Sequence, residues 1–254
     1  MIQDDKDISF RGEEILREGE RLDDLQRDGL MLIQNPEWFC FGMDAVLLTG
    51  FARIGKGCRS IDLGSGNGVI PILLSAKTEG AYFEGLEIQA DIADMARRSI
   101  RFNGLEDRVH MTTGDIREAS SYYGAASFDV VTTNPPYMIH SHGLTNEASH
   151  KAVARHELKC SLEDVVRESA RLLKPGGHFF MVHRPFRLSE IITVMTAHKL
   201  EPKRLRLVYP YVDREPNMLL VEGVRGGNSG MVVEKPLIVY ESVNAYTEEV
   251  RALY

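Results

Sequence analysis

From about residue 57 onward, short runs of β-branched and aromatic residues alternate with stretches whose apolar positions recur at helical spacing. That rhythm belongs to βαβ units, which build a mostly parallel sheet covered by helices on both faces. The runs at 59–63, 82–88, 108–113, 128–133 and 177–183 predict strands, each ending near polar or glycine residues. Within 91–103, Ile92, Met95, Ala96 and Ile100 fall on one helical face, and Gly104 suits the left-handed position past the helix end. Ser161 opens another helix, because its hydroxyl can cap free amides while Asp164 answers three residues later. Leu162, Val165, Val166, Leu172 and Leu173 line its apolar face until Lys174-Pro175-Gly176-Gly177 stops it. A helix is expected over 188–200, followed by strands at 204–212 and 217–224 whose short connection implies a hairpin. A last strand that turns back antiparallel departs from the all-parallel dinucleotide-binding sheet.

The chain of 254 residues suits one α/β domain with short extensions, and no internal repeat or low-complexity linker divides it. Residues 1–56 read as an N-terminal extension packed on a catalytic domain at 57–226, and 227–254 as a C-terminal tail. Asp44 is placed to cap an apolar helix running through Phe51, and the apolar run 237–240 is expected to pack on the fold. A hydrophobic fraction of 43% and a charged fraction of 26% are those of a globular protein with a buried core. Cys40, Cys58 and Cys160 lie far apart without C-x-x-C spacing, which argues against a disulfide framework or zinc knuckle and for a reducing, cytoplasmic compartment. An acidic N-terminus does not resemble a secretory leader, and no segment reaches the roughly 18 apolar residues of a membrane span.

Candidate chemistry begins at Asp62-Leu63-Gly64-Ser65-Gly66-Asn67-Gly68, which follows a strand and precedes a helix, so the turn presents backbone amides at a helix start. The nicotinamide fingerprint needs glycine at position 69, where Val69 stands, so the loop alone leaves its ligand open. Glu87 and Asp115 end the next two strands on the same sheet edge. Glu87, followed by Ile88, can accept from both hydroxyls of a ribose, and Asp115 can accept from the amine of an adenine lying against Ile116. The plain alternative for either acid is a solvated strand end.

The strand at 128–133 runs into Asn134-Pro135-Pro136-Tyr137. The double proline stiffens the turn and removes two amide donors, leaving the Asn134 side-chain oxygen and the Pro135 carbonyl as acceptors for an amine, with Tyr137 beside them to stack on a planar group. Positioning suffices for a conjugated nitrogen, because two acceptors hold its hydrogens while its lone pair turns toward an electrophile. Covalent activation of a pyrimidine carbon would need a thiolate in this loop, and none is there. His140, His142, His150 and His156 follow closely, but no carboxylate or thiol completes a metal-ligand spacing, so no metal is expected.

D-x-G-x-G-x-G with Glu87 and Asp115 resembles the class I methyltransferase cofactor site. That resemblance implies S-adenosylmethionine, held by Asp62, Gly64, Ser65, Gly66, Asn67, Gly68, Glu87, Ile88, Asp115, Ile116 and Asn134. It also implies a Rossmann-like, mostly parallel seven-stranded sheet with helices on both faces and an antiparallel C-terminal hairpin strand. Further stretches, Glu20 to Leu25 through Ile33-Gln34 to Phe39, Phe41-Gly42-Met43-Asp44-Ala45-Val46-Leu47-Leu48, Ala154-Arg155-His156-Glu157-Leu158 and Pro216-Asn217-Met218-Leu219-Leu220-Val221-Glu222-Gly223, are similar to the bacterial tRNA(Val) adenine-N6 methyltransferases over residues 18–250. The implied activity is methyl transfer to the exocyclic N6 of an adenine in tRNA, with Asn134, Pro135, Pro136 and Tyr137 catalytic. The rivals are glutamine-amide methylation of a release factor, methylation of ribosomal RNA, and a non-catalytic module that binds cofactor and RNA.

A net charge of −7 sits awkwardly with a polyanionic substrate, so RNA has to meet local basic clusters. Arg155, the cluster His183-Arg184-Pro185-Phe186-Arg187, above all Arg184, and Lys203, Arg204 and Arg206 are the candidates. Solvated helix and strand faces explain the same residues without RNA.

Overall fold

The computed structural model describes residues 15–38, 40–135 and 160–254. Strands β1 (Arg21–Asp24) and β2 (Met31–Gln34) form an antiparallel hairpin, followed by α1 (Met43–Phe51), β3 (Arg59–Leu63), α2 (Val69–Lys77), β4 (Tyr82–Glu87), α3 (Ala90–Phe102) and β5 (Val109–Thr113). A 3-10 turn at Ile116–Glu118 leads to α4 (Ala119–Tyr123) and β6 (Phe128–Thr133), and after the undescribed segment come α5 (Leu162–Leu172), β7 (Leu173–His183), α6 (Leu188–Ala197), β8 (Leu200–Tyr209) and β9 (Met218–Arg225). The tail adds short strands β10 (Val232–Val233), β11 (Leu237–Ile238), β12 (Tyr240–Ser242) and β13 (Ala245–Tyr246), then α7 (Glu248–Arg251).

The seven expected strands are β3 to β9, in the order β8-β9-β7-β6-β3-β4-β5, with β10 and β11 added alongside β8. β3 to β7 pair parallel, and β9 lies antiparallel between β7 and β8. Side chains of β7 show why its run is almost continuously apolar. Phe180 and Val182 join the core under α1, α2 and α3, while Phe179 and Met181 join the core under α4, α5 and α6. A strand buried on both faces has no polar side to show.

Local signals place most boundaries. Ser161 and Asp164 form the expected reciprocal cap, with Ser161 Oγ accepting from the Asp164 amide at 3.1 Å and Asp164 Oδ2 accepting from the Ser161 amide at 2.9 Å. Lys174-Pro175-Gly176-Gly177 does not separate helix from strand as expected. α5 already ends at Leu172, Leu173 pairs with Phe128, and these four residues bulge before His178 pairs with Val130. Asp44 is not the cap of α1: Gly42 takes that position and Asp44 sits in the first turn, where its charge faces the positive end of the helix.

The N-terminal hairpin docks on α3 by backbone as well as side chains. The amides of Met31 and Ile33 donate to Asn103 Oδ1 and Ser99 Oγ, both at 2.9 Å, and Asn103 returns a bond to the Met31 carbonyl at 2.7 Å. Glu20 and Arg98 pair at 2.6 Å with side chains 2% and 11% exposed. Burial opposes the charged Glu20 carboxylate, but the Arg98 guanidinium outweighs it and holds the group below its usual range. The expected apolar tail strand is present as β11, laid parallel on β8 at Val208 and Tyr209.

Candidate active site

Strand register brings the expected residues to one edge. Leu63 lies opposite both Leu86 and Thr133, Glu87 opposite Thr113, and Thr133 opposite Met181. Gly64, Glu87, Asp115 and Asn134 therefore emerge together at the C-terminal ends of parallel strands, the usual ligand edge of such sheets. The Thr133 hydroxyl donates to the Leu63 carbonyl at 2.8 Å and ties the last residue of β6 to the last residue of β3, just before Asn134 and Gly64.

The glycine loop needs its glycines for conformation. Gly64, Gly66 and Gly68 adopt φ of 73°, 57° and 81°, left-handed values that other residues reach only with strain, and Gly68 serves as the N-cap of α2. The Gly64 and Ser65 amides donate to the Leu86 carbonyl at 2.9 and 3.0 Å, which folds the loop over β4. At Gly85 on that strand, a Cβ would stand 2.7 Å from Ser65 Oγ and 2.5 Å from Met111 Cε, so a larger residue would displace the Ser65 and Met111 side chains.

Glu87 is 6% exposed and braces the loop: Oε2 accepts from the Gly66 amide at 3.0 Å, and Oε1 from the amide of Gln89, the N-cap of α3, at 2.9 Å. Each oxygen keeps a lone pair for a ligand hydroxyl. Asp62 is 2% exposed; its Oδ1 accepts from the Thr132 hydroxyl at 2.7 Å, while Oδ2 has no hydrogen-bond partner. Burial pushes the Asp62 carboxyl up to about 7 and the Glu87 charge adds to the rise, whereas the Thr132 and Ser65 hydroxyls oppose it. Ser65 lies close enough to act on Asp62 without completing a hydrogen bond of good geometry, and its Oγ is buried and unpartnered.

Asn67, 1% exposed, donates from Nδ2 to Gln34 Oε1 at 3.3 Å and leaves Oδ1 buried without a partner. Gln34 also accepts from the Phe41 amide at 2.9 Å, so the N-terminal segment reaches directly into the loop. Gln34 falls within the family resemblance, but nothing in the sequence ties it to the glycine loop, because its partner is 33 positions away and a glutamine at a strand end reads as solvated.

Asp115 has a partner of its own at this edge. It caps the 3-10 turn, accepting from the Arg117 amide at 2.9 Å, and its carboxylate also takes the Arg117 guanidinium at 2.6 Å, which holds it below the usual carboxylate range. A ligand amine there shares the carboxylate with Arg117. Ile116 is well placed, with Cδ1 3.5 Å from where a Cβ on Gly64 would sit, and Ile88 is partly exposed on the same edge. Asn134 is half-buried and Pro135 buried at the end of β6, whereas Pro136, Tyr137, Arg155 and His140, His142, His150 and His156 lie outside the described residues.

The basic clusters fare less well. Arg204 is sandwiched between Glu222 and Glu234, each at 2.6 Å, with its guanidinium 4.2 Å from the Phe51 ring centre. Arg206 pairs with Glu249 at 2.6 Å, and Lys203 donates to the Asn228 carbonyl at 2.9 Å. All three sit mid-strand on β8, short of the ligand edge, so the cluster is not an open basic patch: Arg204 and Arg206 join the tail to the sheet. His183 is fully buried and its imidazole is pushed down to about 4 by burial, so it adds no charge near neutral pH. Arg184 does lie at the ligand edge, donating to the Asn217 carbonyl at 2.8 Å.

A protein-family model described as a methyltransferase domain matches residues 54–205. A tRNA1(Val) (adenine(37)-N6)-methyltransferase of Porphyromonas gingivalis is 30% identical over 189 residues, covering 71% of this chain and 72% of the relative. The chain belongs to this methyltransferase family. An enzyme of the same description from Aeromonas salmonicida is 24% identical over 208 residues, covering 82% of this chain and 85% of its own. In three dimensions the methyltransferase is similar to an Agrobacterium tumefaciens protein described as a predicted O-methyltransferase, with a TM-score of 0.68 and 22% identity over 83% of this chain and 94% of that one. The likeness in structure gives the fold.

The cofactor of this methyltransferase is S-adenosylmethionine, and the loop fits it. The buried, unpartnered Asp62 Oδ2 and Asn67 Oδ1 suit an ammonium better than a phosphate, which would meet these oxygens as one acceptor meets another, while the Ser65 hydroxyl can accept or donate. Among the described residues no group of histidine, cysteine or acidic side chains could hold a metal ion, and no helix is long and apolar enough to cross a membrane.

Proposed function

We propose that this methyltransferase transfers the methyl group of S-adenosylmethionine to the exocyclic N6 of an adenine in tRNA, acting in the cytoplasm. The observation that carries the reading is the end of β6, where register and the Thr133 bond bring Asn134-Pro135 beside the glycine loop; in this reading its two acceptors serve a nitrogen nucleophile. The names of the relatives support tRNA as the acceptor.

Asp62, with Ser65 and Asn67, holds the amino-acid end of the cofactor, Glu87 the ribose, and Asp115 with Ile88 and Ile116 the adenine. Bound there, the cofactor supplies an electrophilic methyl on a sulfonium. Asn134 Oδ1 and the Pro135 carbonyl accept the two amine hydrogens, which turns the nitrogen lone pair out of conjugation and toward the methyl. Holding that geometry is worth about 7–11 kcal/mol of barrier in favourable cases. Once methylated, the nitrogen is strongly acidic and sheds its proton to water, so no strong base is needed. Pro136 and Tyr137 complete the motif, with Tyr137 stacking on the base. The extensions at 1–56 and 227–254 serve the catalytic domain at 57–226, Gln34 of the first bracing the glycine loop and β10 and β11 of the second the β8 edge.

Competition among unmodified tRNA, ribosomal RNA fragments and release factor for labelled methyl tests the acceptor. Label in tRNA supports the reading; label confined to release factor replaces it with glutamine-amide methylation, and label confined to ribosomal RNA moves the acceptor.

A further inference from the structure

β7 ends at His183 on the ligand edge, next to β6, and the chain then turns through Pro185–Arg187 before α6 begins. Phe186, at the middle of this turn, is 65% exposed, the most solvent-open aromatic ring among the described residues; Trp38 and Tyr122 follow at 51% and 45%. The turn beneath it is firmly held. Proline begins it, the Arg187 guanidinium pairs with Glu190 at 2.7 Å while itself 10% exposed, and Arg184 fastens the turn to the Asn217 carbonyl where β9 begins. The ring is thus displayed in water from a rigid base.

We propose that Phe186 is a stacking platform for an unpaired nucleobase of the RNA, next to the adenine that is methylated. The inference rests on the reading of RNA as acceptor and adds a contact to it. Thr133 lies opposite Met181, so Asn134 stands level with Val182, and Phe186 is four residues further along the neighbouring chain. That separation, roughly 10–15 Å, is too far for the target base and within reach of a neighbouring nucleotide. Val212, 83% exposed in the β8–β9 connection, stands on the adjoining loop that the Arg184 bond ties to the turn. One ring and one valine make a patch far smaller than a protein interface needs, but enough for the face of one base. Stacking on an aromatic ring tolerates any base and needs no positive charge, which suits a protein of net charge −7 whose mid-strand arginines are tied to glutamates.

The test uses the full chain with two variants. Phe186→Ala is expected to raise KM for unmodified tRNA by roughly 5- to 100-fold, with kcat and S-adenosylhomocysteine affinity unchanged, and Phe186→Trp to restore it. In Phe186→Trp, fluorescence at this position is expected to be quenched by a short single-stranded RNA, a reading that needs no turnover. An unchanged KM in Phe186→Ala, or no quenching at saturating RNA, overturns the platform even if tRNA is the acceptor. If release factor is the acceptor and Phe186→Ala weakens that protein instead of RNA, the ring is a protein contact and the proposal is wrong.

Discussion

The Asp62 carboxyl carries the clearest chemical consequence of burial in this protein. Its folded value of about 7 lies above the ordinary 3.8, so the folded, cofactor-free protein keeps a proton that the unfolded chain releases. The stability this contributes is full below about pH 4 and is lost as pH rises through about 7. A cationic amino group beside Oδ2 favours the ionised form, so binding releases that proton. Cofactor affinity measured by calorimetry is expected to rise from about pH 6 to about pH 8, with proton release, and to lose this dependence in Asp62→Asn. A flat profile in the parent enzyme would remove Asp62 from the cofactor site. Glu87→Ala takes away the proposed ribose acceptors and leaves the Gly66 and Gln89 amides without their bridge, so binding of S-adenosylhomocysteine is expected to weaken by about 1.5–3 kcal/mol per lost charged bond, while kcat at saturation changes little. These acids were legible in the sequence because motif spacing and strand ends place them. The Asn67–Gln34 bond and the Arg117 grip on Asp115 were not, since neither a partner 33 positions away nor a competing guanidinium two positions on has a pattern to read.

Between elements, the N-terminal hairpin is as much a part of the site as the strands. Its hydrogen bonds to α3 set its height, and Gln34 then meets the glycine loop. Gln34→Ala is therefore expected to raise KM for the cofactor about tenfold, a loss near 1.4 kcal/mol, with KM for tRNA unaffected. An equal rise in both would mean that the hairpin merely supports the fold. At the other edge, Arg204 clamps β8 to β9 and to the tail through Glu222 and Glu234. Arg204→Ala leaves Glu222, 6% exposed, with His178 as its remaining partner and is expected to lower stability by about 1.5–3 kcal/mol, read as an earlier denaturant midpoint, instead of weakening RNA binding selectively. The sequence shows Lys203-Arg204-Leu205-Arg206 as a basic run only because the acids that neutralise it lie 18 to 43 positions further on. Periodicity had better success with the elements themselves. β3 and β6 match at both ends, where apolar runs stop at glycine or Asn-Pro, while β8 begins at Leu200, four residues before the apolar run suggests, because pairing with β9 extends past a bulge at Pro202 and Arg204.

Across the whole molecule, the mostly parallel sheet and the antiparallel β9 follow from the alternation of strands and helices and from the hairpin signal after residue 204, whereas the strand order is given by the structure alone. The tail's attachment through β10 and β11 was only partly visible, as one apolar run, because two-residue strands carry no period. Strand register gathers Asp62, Glu87 and Asn134 at one edge of the sheet, the edge to which the proposed chemistry is assigned. The most direct test of this account is nucleoside analysis of unmodified bulk tRNA after incubation with S-adenosylmethionine and either the parent enzyme or Asn134→Ala. The account predicts N6-methyladenosine with the parent enzyme and a fall of at least about 100-fold in its rate of formation with Asn134→Ala, with cofactor affinity preserved. Methyl label absent from adenine N6 with the parent enzyme, or formed at the same rate by Asn134→Ala, would contradict it.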